Sequence, residues 1–194
     1  EIEFYRMALM ASGAVQAARW SPTREGGGYI YSFNGPQSLF VDTIRSCRSL
    51  AVAHLLGHAL MGERDERISL YDRLVNHAES TTKYSIFYGE GQAWALCGFP
   101  EQLECLTVID DADLEPHGGR DAVSAMMLRA ALATADFYLE YTPVCGVPYW
   151  DTGAPGLAKM GNVNARPADP FNEHEPVDSS AAAIAAQGLL RLGS

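Results

Sequence analysis

Between Asp121 and Tyr141, apolar side chains recur at helical spacing through Val123, Met126, Met127, Ala130, Thr134, Phe137, Tyr138 and Tyr141. A run of that length and period is best satisfied by a long helix with one face buried against other helices. The same period predicts helices over Phe4 to Trp20, from Asn34 to about Met61, from Asp65 to roughly Thr82, from about Gln92 to Val108, and over Ser179 to Leu192. Ser21-Pro22-Thr23 and the Gly26-Gly27-Gly28 turn stop the first of these. Asn34-Gly35-Pro36-Gln37 reads as the start of the second, with an Asn cap, Pro in the first turn and Gln three residues after the cap. Pro100 predicts a kink or break in the fourth. Only Tyr29 to Phe33 alternates like a strand. Asp151 to Val177 is the longest stretch without periodicity and is rich in Pro, Gly and Asn, which makes it a functional or disordered loop.

About six helices with almost no strand imply an all-α domain of packed hairpins. No segment repeats closely enough for a solenoid. The 194 residues fit one domain, 1–194, and 47% hydrophobic content supplies a core. A net charge of −10 argues against nucleic acid as a partner, because phosphate neutralisation needs a basic footprint. It also makes an anionic ligand awkward unless cations stand close to the site. No apolar run reads as a membrane span, and no positive–apolar–small leader is visible in a chain that opens Glu1-Ile2-Glu3.

The motif search excludes several chemistries. Gly26-Gly27-Gly28 lacks a following G-K-S/T, so it reads as a turn and not a phosphate cradle. His54 and His58 stand four apart on the expected helix, yet the glutamate of H-E-x-x-H and a third ligand are both missing. No metal site and no cofactor follow from this pair. Of the four cysteines, Cys47, Cys97 and Cys105 lie in apolar helical runs and read as small hydrophobes, and Cys145 follows no metal or redox spacing. Trp150-Asp151 has two readings: an aromatic face and a carboxylate for a sugar, or a structural Trp under the long loop. Asp178-Ser179-Ser180 reads as a helix cap.

Two strings in the final third carry a resemblance. VPYWDTGAP (Val147 to Pro155) and DSSAAAIAAQGLLRLG (Asp178 to Gly193) resemble the VP-x-W-D and D-(S/T)-S-A-A-A-I strings that close the barrel of the unsaturated glucuronyl hydrolases, glycoside hydrolase family 88. Tyr29 to Ile44 is similar to the family stretch G-Y-I-R-S-(W/F) followed by an I-D-N-M-M helix start. That stretch carries the family's general acid/base aspartate, which maps onto Asp42. The bland reading of Asp42 is an acidic residue complementing a helix dipole. Gly91 to Phe99 resembles W-x-R-G-Q-A-W-A-x-x-G-F, whose tryptophans and arginine line the sugar pocket, so Gln92 and Trp94 join the implied substrate-binding set with Trp150 and Asp151. Glu90 stands where that motif has its arginine, and the upstream tryptophan is absent. Thr81-Thr82-Lys83-Tyr84 resembles the end of an earlier family helix, H-A-x-T-T-x-K-Y. The long active-site segment that separates the two blocks in the family is missing here, so a segment reads as excised near 90–91.

The resemblance implies an (α/α)6 barrel of which this chain carries about the later half, with apolar inner faces left open. It implies an enzyme acting on unsaturated uronic-acid oligosaccharides, the products of polysaccharide lyases, without a cofactor. An acid protonates C4 of the C4=C5 vinyl ether, water adds at C5, and the resulting hemiketal opens and expels the remaining sugar. This differs from the usual two-carboxylate glycosidase scheme. The family's second aspartate lies in an H-D-x-G-F string with no equivalent before Tyr29. Two other readings stay open on the residues: a non-catalytic carbohydrate-binding or structural helical protein, and another (α/α)6 sugar enzyme such as an epimerase, for which His54 and His58 are the candidate pair.

Overall fold

The computed structural model describes residues 1–86 and 92–194. Glu90 and the junction near 90–91 lie outside the described residues. Helix dominates, at 59% against 7% strand, so the molecule is all-α in class. In chain order come α1 (Ile2–Ala18), a β1–β2 hairpin (Trp20–Pro22, Gly28–Ile30), α2 (Thr43–Ser46) and α3 (Arg48–Leu55). A second hairpin, β3–β4 (Ala59–Met61, Arg67–Ser69), leads into α4 (Leu70–Tyr84). Then follow α5 (Gln92–Leu106), α6 (Asp111–Leu114), α7 (Gly119–Tyr141) and α8 (Ser179–Leu192). Both hairpins are antiparallel, pairing Trp20 with Ile30 and Ala59 with Ser69. Helix α5 is the spine: α7 and α8 pack along it, α2 abuts it, and α1 packs on α3.

The continuous helix expected from Asn34 to Met61 is not formed. Gly35 takes φ 101°, and the chain folds back so that Ser32 N donates to Ser38 O at 2.9 Å. The Pro36 carbonyl is taken by the hydroxyls of Ser21 (2.6 Å) and Tyr29 (2.8 Å), which ties this turn to the first hairpin and precludes a helical start. Helix α3 then ends before Gly57, at φ 81°, and Ala59–Met61 is a strand. His54 and His58 therefore share no helix face, and His54 Nε2 pairs with Asp113 Oδ2 at 2.8 Å instead. The helix expected from Asp65 begins at Leu70, because Asp65 sits at φ 58° in the second hairpin's turn and Ser69, with extended backbone, caps α4 by accepting from Asp72 N at 3.2 Å.

Pro100 lies inside α5 without ending it. Lacking an N–H, it leaves the Leu96 carbonyl without its intrahelical donor. That carbonyl faces Gly188 of α8 so closely that any Cβ there would clash with it and lie 2.8 Å from Cys97 N. The backbones meet at the point where the ladder is open, a geometry suited to a Cα–H···O contact. On another side of α5, a Cβ at Gly98 would sit 2.6 Å from Ile44 Cγ2, so α2 rests directly on the spine. Tyr71, Phe99, Ile44, Leu50, Leu74, Leu96 and Met127 fill the interior. By length and composition, α7 would pass for a membrane-crossing helix, contrary to the reading of the sequence. Its Val123, Met127, Ala130, Ala131 and Thr134 are nevertheless buried, with α5 and α4 packed against the helix, as in a core helix.

Two histidines join elements with opposite ionic consequences. His77, fully buried, accepts the Ile30 N–H at Nδ1 (3.1 Å), so its proton sits on Nε2, 3.3 Å from Thr81 Oγ1. Burial holds His77 down to about 3, keeping it neutral. His117 lies between Asp72 Oδ1 (3.0 Å) and Glu79 Oε1 (3.8 Å) of α4, and these carboxylates raise it to about 9.

An unfolded histidine titrates near ~6.5. The His77 contribution is therefore present above that value and is lost as pH falls toward 3. The His117 contribution is complete below it and is lost as pH rises through about 9. Urea midpoints should peak near neutrality, with His77→Asn flattening the acid limb and His117→Gln the alkaline limb. Limbs that stay steep in both variants would contradict these assignments. Gly188→Ala should cost about 1–3 kcal/mol by forcing α8 off α5, visible as a fall of several degrees in Tm.

Candidate functional site

A cleft of about 530 Å³ opens where α5, the end of α7, the segment after it and the start of α8 converge. Trp94 enters from α5, Phe137, Tyr138 and Tyr141 from α7, Tyr149 to Thr152 from the following segment, and Asp178, Ser180, Ala181 and Ile184 from α8. Local pairing explains the convergence. Tyr149 bridges Val177, Trp150 N donates to Pro176 O at 3.0 Å, and Asp178 N donates to Pro148 O at 2.8 Å. This short antiparallel clasp closes the 151–177 loop and sets Trp150 and Asp151 beside the start of α8.

The walls are aromatic and the polar groups are few. Phe137 and Tyr141 stack at 4.3 Å between centroids. Trp150 is 55% exposed, leaving ring surface open to a ligand. Its indole Nε1 donates to Glu175 Oε2 at 2.6 Å, and the other oxygen of this buried carboxylate accepts from Gly156 N at 2.6 Å. Asp151 Oδ1 accepts from Gly153 N at 2.7 Å and stabilises the turn after Trp150. The Arg45 guanidinium sits 4.6 Å from the Trp94 ring centroid, a cation–π contact made possible by the close seat of α2 on α5.

Asp178 is the N-cap of α8. Its Oδ1 accepts from Ser180 Oγ at 2.6 Å and from Ala181 N at 2.9 Å. The Ser180 hydroxyl first, and the Ala181 amide second, hold its carboxyl below the usual carboxylate range. Asp178 is thus an anion at neutral pH and a poor proton donor.

Of the residues singled out in the sequence, Trp94, Trp150 and Asp151 meet in this cleft. Gln92 is the first residue of α5, and its side chain lies outside the described residues. Asp42 begins α2, exposed and making no side-chain cap bond, and is not among the lining residues. It stands one turn before Arg45, the residue stacked on Trp94. Phe137, Tyr138 and Tyr141 of α7 line the cleft without having been singled out for it, although they are visible in the helical pattern, and Arg45 and Glu175, which do not line it, contact its Trp94 and Trp150. Among the described residues, no group of three or more His, Cys, Asp or Glu side chains is arranged to hold a metal ion. The cysteines are free.

Comparison with known protein families, with curated proteins and with solved structures finds no match to this chain.

Replacing Asp178 by Ala should cost about 0.5–2 kcal/mol through loss of the cap, and Asp178→Asn much less. Calorimetric melting of the two variants checks this, and equal losses would assign the effect to charge instead of capping.

Proposed function

We propose that the cleft binds the terminal 4,5-unsaturated uronic acid of an oligosaccharide, and that the chain is an unsaturated glucuronyl hydrolase of the glycoside hydrolase family 88 type. The observation that carries this reading is convergence. The Trp94 string, the Trp150-Asp151 string and the Asp178-Ser180 string, far apart in sequence, line one cleft. Its chemistry suits a pyranose: aromatic faces for the C–H surface of the ring, with hydroxyls and carboxylates at the edges for its oxygens. Asp151 and Asp178 alone would repel a uronate; Arg45, which like Asp42 is not a lining residue, places a cation over the Trp94 ring of the cleft wall. Its planar fork is matched to a carboxylate.

The finer architecture belongs to the same proposal, an (α/α)6 barrel of hairpins carried in part. It is supported by α1, which exposes Ile2, Phe4, Tyr5, Met7 and Val15, each more than 60% accessible. A helix apolar on several sides normally sits inside a larger helical body.

In this reading, Asp42 delivers a proton to C4, cationic character develops at C5 and O5, and the resulting carboxylate takes a proton from the water that adds at C5. One carboxyl completes the cycle. The C5 hemiketal then opens to the ketone by breaking C5–O5, which leaves a hemiacetal at C1, and that hemiacetal collapses to the aldehyde and releases the remaining sugar as its alcohol. A second reading, carbohydrate binding without turnover, is favoured by one observation: Asp42 is absent from the cleft lining.

Loss of the ultraviolet absorbance of the conjugated enol ether on unsaturated disaccharides tests turnover, and calorimetric titration tests binding. Asp42→Asn should lower kcat by about 10²–10⁴-fold. Tm should move little, since the side chain is exposed and makes no cap bond. Sugar binding with unchanged absorbance in the unsubstituted protein selects the second reading. Near-normal turnover in Asp42→Asn removes the proton-donor role.

A further inference from the structure

We infer that Glu175 is a positioning residue that fixes the plane of the Trp150 indole as the sugar-facing platform of the cleft. This rests on the reading of the cleft as a sugar site. Glu175 is 9% exposed, and its two oxygens are met by two neutral donors, Trp150 Nε1 and Gly156 N, each at 2.6 Å. No cation pairs with it among the described residues. Burying a carboxylate on neutral donors alone is a costly way to hold a loop together, and an apolar residue of similar size would do so without the desolvation penalty. What the carboxylate adds is direction. A charge-assisted hydrogen bond is short and strong, and an indole has a single N–H, so one such bond sets the ring's orientation.

The surroundings are built for this contact. A Cβ at Gly156 would collide with Glu175 Oε1 and lie 2.8 Å from its Cδ, so a side chain there would push the carboxylate out of its present seat. Asn172 holds the Glu175 backbone from both sides, its Oδ1 accepting from Glu175 N at 2.8 Å and its Nδ2 donating to Glu175 O at 2.7 Å. Trp150 itself is half-open and lines the cleft. A tryptophan serving only as a loop anchor would be buried. Here the N–H edge is tethered inward while the ring remains available, the arrangement expected of a preorganised platform.

The test is a double-mutant cycle on the whole chain with Glu175→Gln and Trp150→Phe, titrated with an unsaturated uronic acid–hexosamine disaccharide. Glutamine keeps the shape but loses the charge, and one of its two ends faces an N–H with an N–H. Glu175→Gln should weaken binding roughly three- to tenfold and should add nothing in the Trp150→Phe background. In parallel, the Trp150 emission, taken as the difference between proteins with and without that residue, should become more accessible to iodide in Glu175→Gln. Equal losses of affinity in both backgrounds, or quenching unchanged while Tm falls, would overturn the role. Should Glu175→Gln fail to fold, Glu175→Asp, which keeps the charge but shortens the reach, carries the same comparison. If the unsubstituted protein binds no sugar, the cleft reading fails by itself, and quenching alone decides whether Glu175 orients Trp150.

Discussion

The near-contact of two helix backbones at Gly188 governs the arrangement of this molecule. Helix α5 has an open rung where Pro100 cannot donate to Leu96, and α8 approaches there because Gly188 presents no side chain. With α8 held on one side and α7 along another, α5 becomes a spine with its buried residues on several faces. The start of α8 is thereby set close to the end of α7. The cleft lies between these termini, so its position follows from helix packing and not from the loop that covers it.

The loop contributes precision. Residues 151–177 leave and return through the clasp of 148–150 with 176–178, which brings the two ends of a long aperiodic segment together. Within it, Asn172, Glu175 and Gly156 form a polar interior whose outward product is the orientation of Trp150. Long loops in compact domains are ordered when their polar groups find partners internally, and this one satisfies much of its own hydrogen bonding.

The electrostatics divide the carboxylates by task. Asp178 is stabilised as an anion by hydroxyl and amide donors, which suits a cap and disfavours acid catalysis. Asp151 organises a turn at the cleft edge. Asp42, the candidate acid, stands apart at the start of α2, linked to the cleft through Arg45 on the same helix. In the proposed function, an anionic sugar entering a chain of net charge −10 would depend on such local cations. The stacked guanidinium holds one at the aromatic wall without an opposing carboxylate in direct contact among the described residues.

Helices α1, α5, α7 and α8 are legible in the sequence because each repeats its pattern over several turns, and the helix starts at Asn34, Asp65 and Asp178 rest on similarly local signals. Only Asp178 serves as read. Asn34 and Asp65 failed because the chain around them is bound to distant partners: the Pro36 carbonyl by Ser21 and Tyr29, and Ala59–Met61 by Arg67–Ser69. Of the three-residue strands, β2 alone overlaps a visible alternation, at Tyr29 to Phe33, and β1, β3 and β4 carry too little to register as a pattern. Trp94, Trp150 and Asp151 were found as motif residues, but nothing in their spacing places them in one cleft. Glu175 and Arg45 were invisible for the same reason, since their roles are contacts made across the fold. Periodicity and capping are local energies, written in neighbouring residues. Which polar groups meet, and which aromatic faces stay open, is decided by the backbone approaches at Gly98 and Gly188 and by the clasp beneath Trp150, interactions that exist only after the helices have packed.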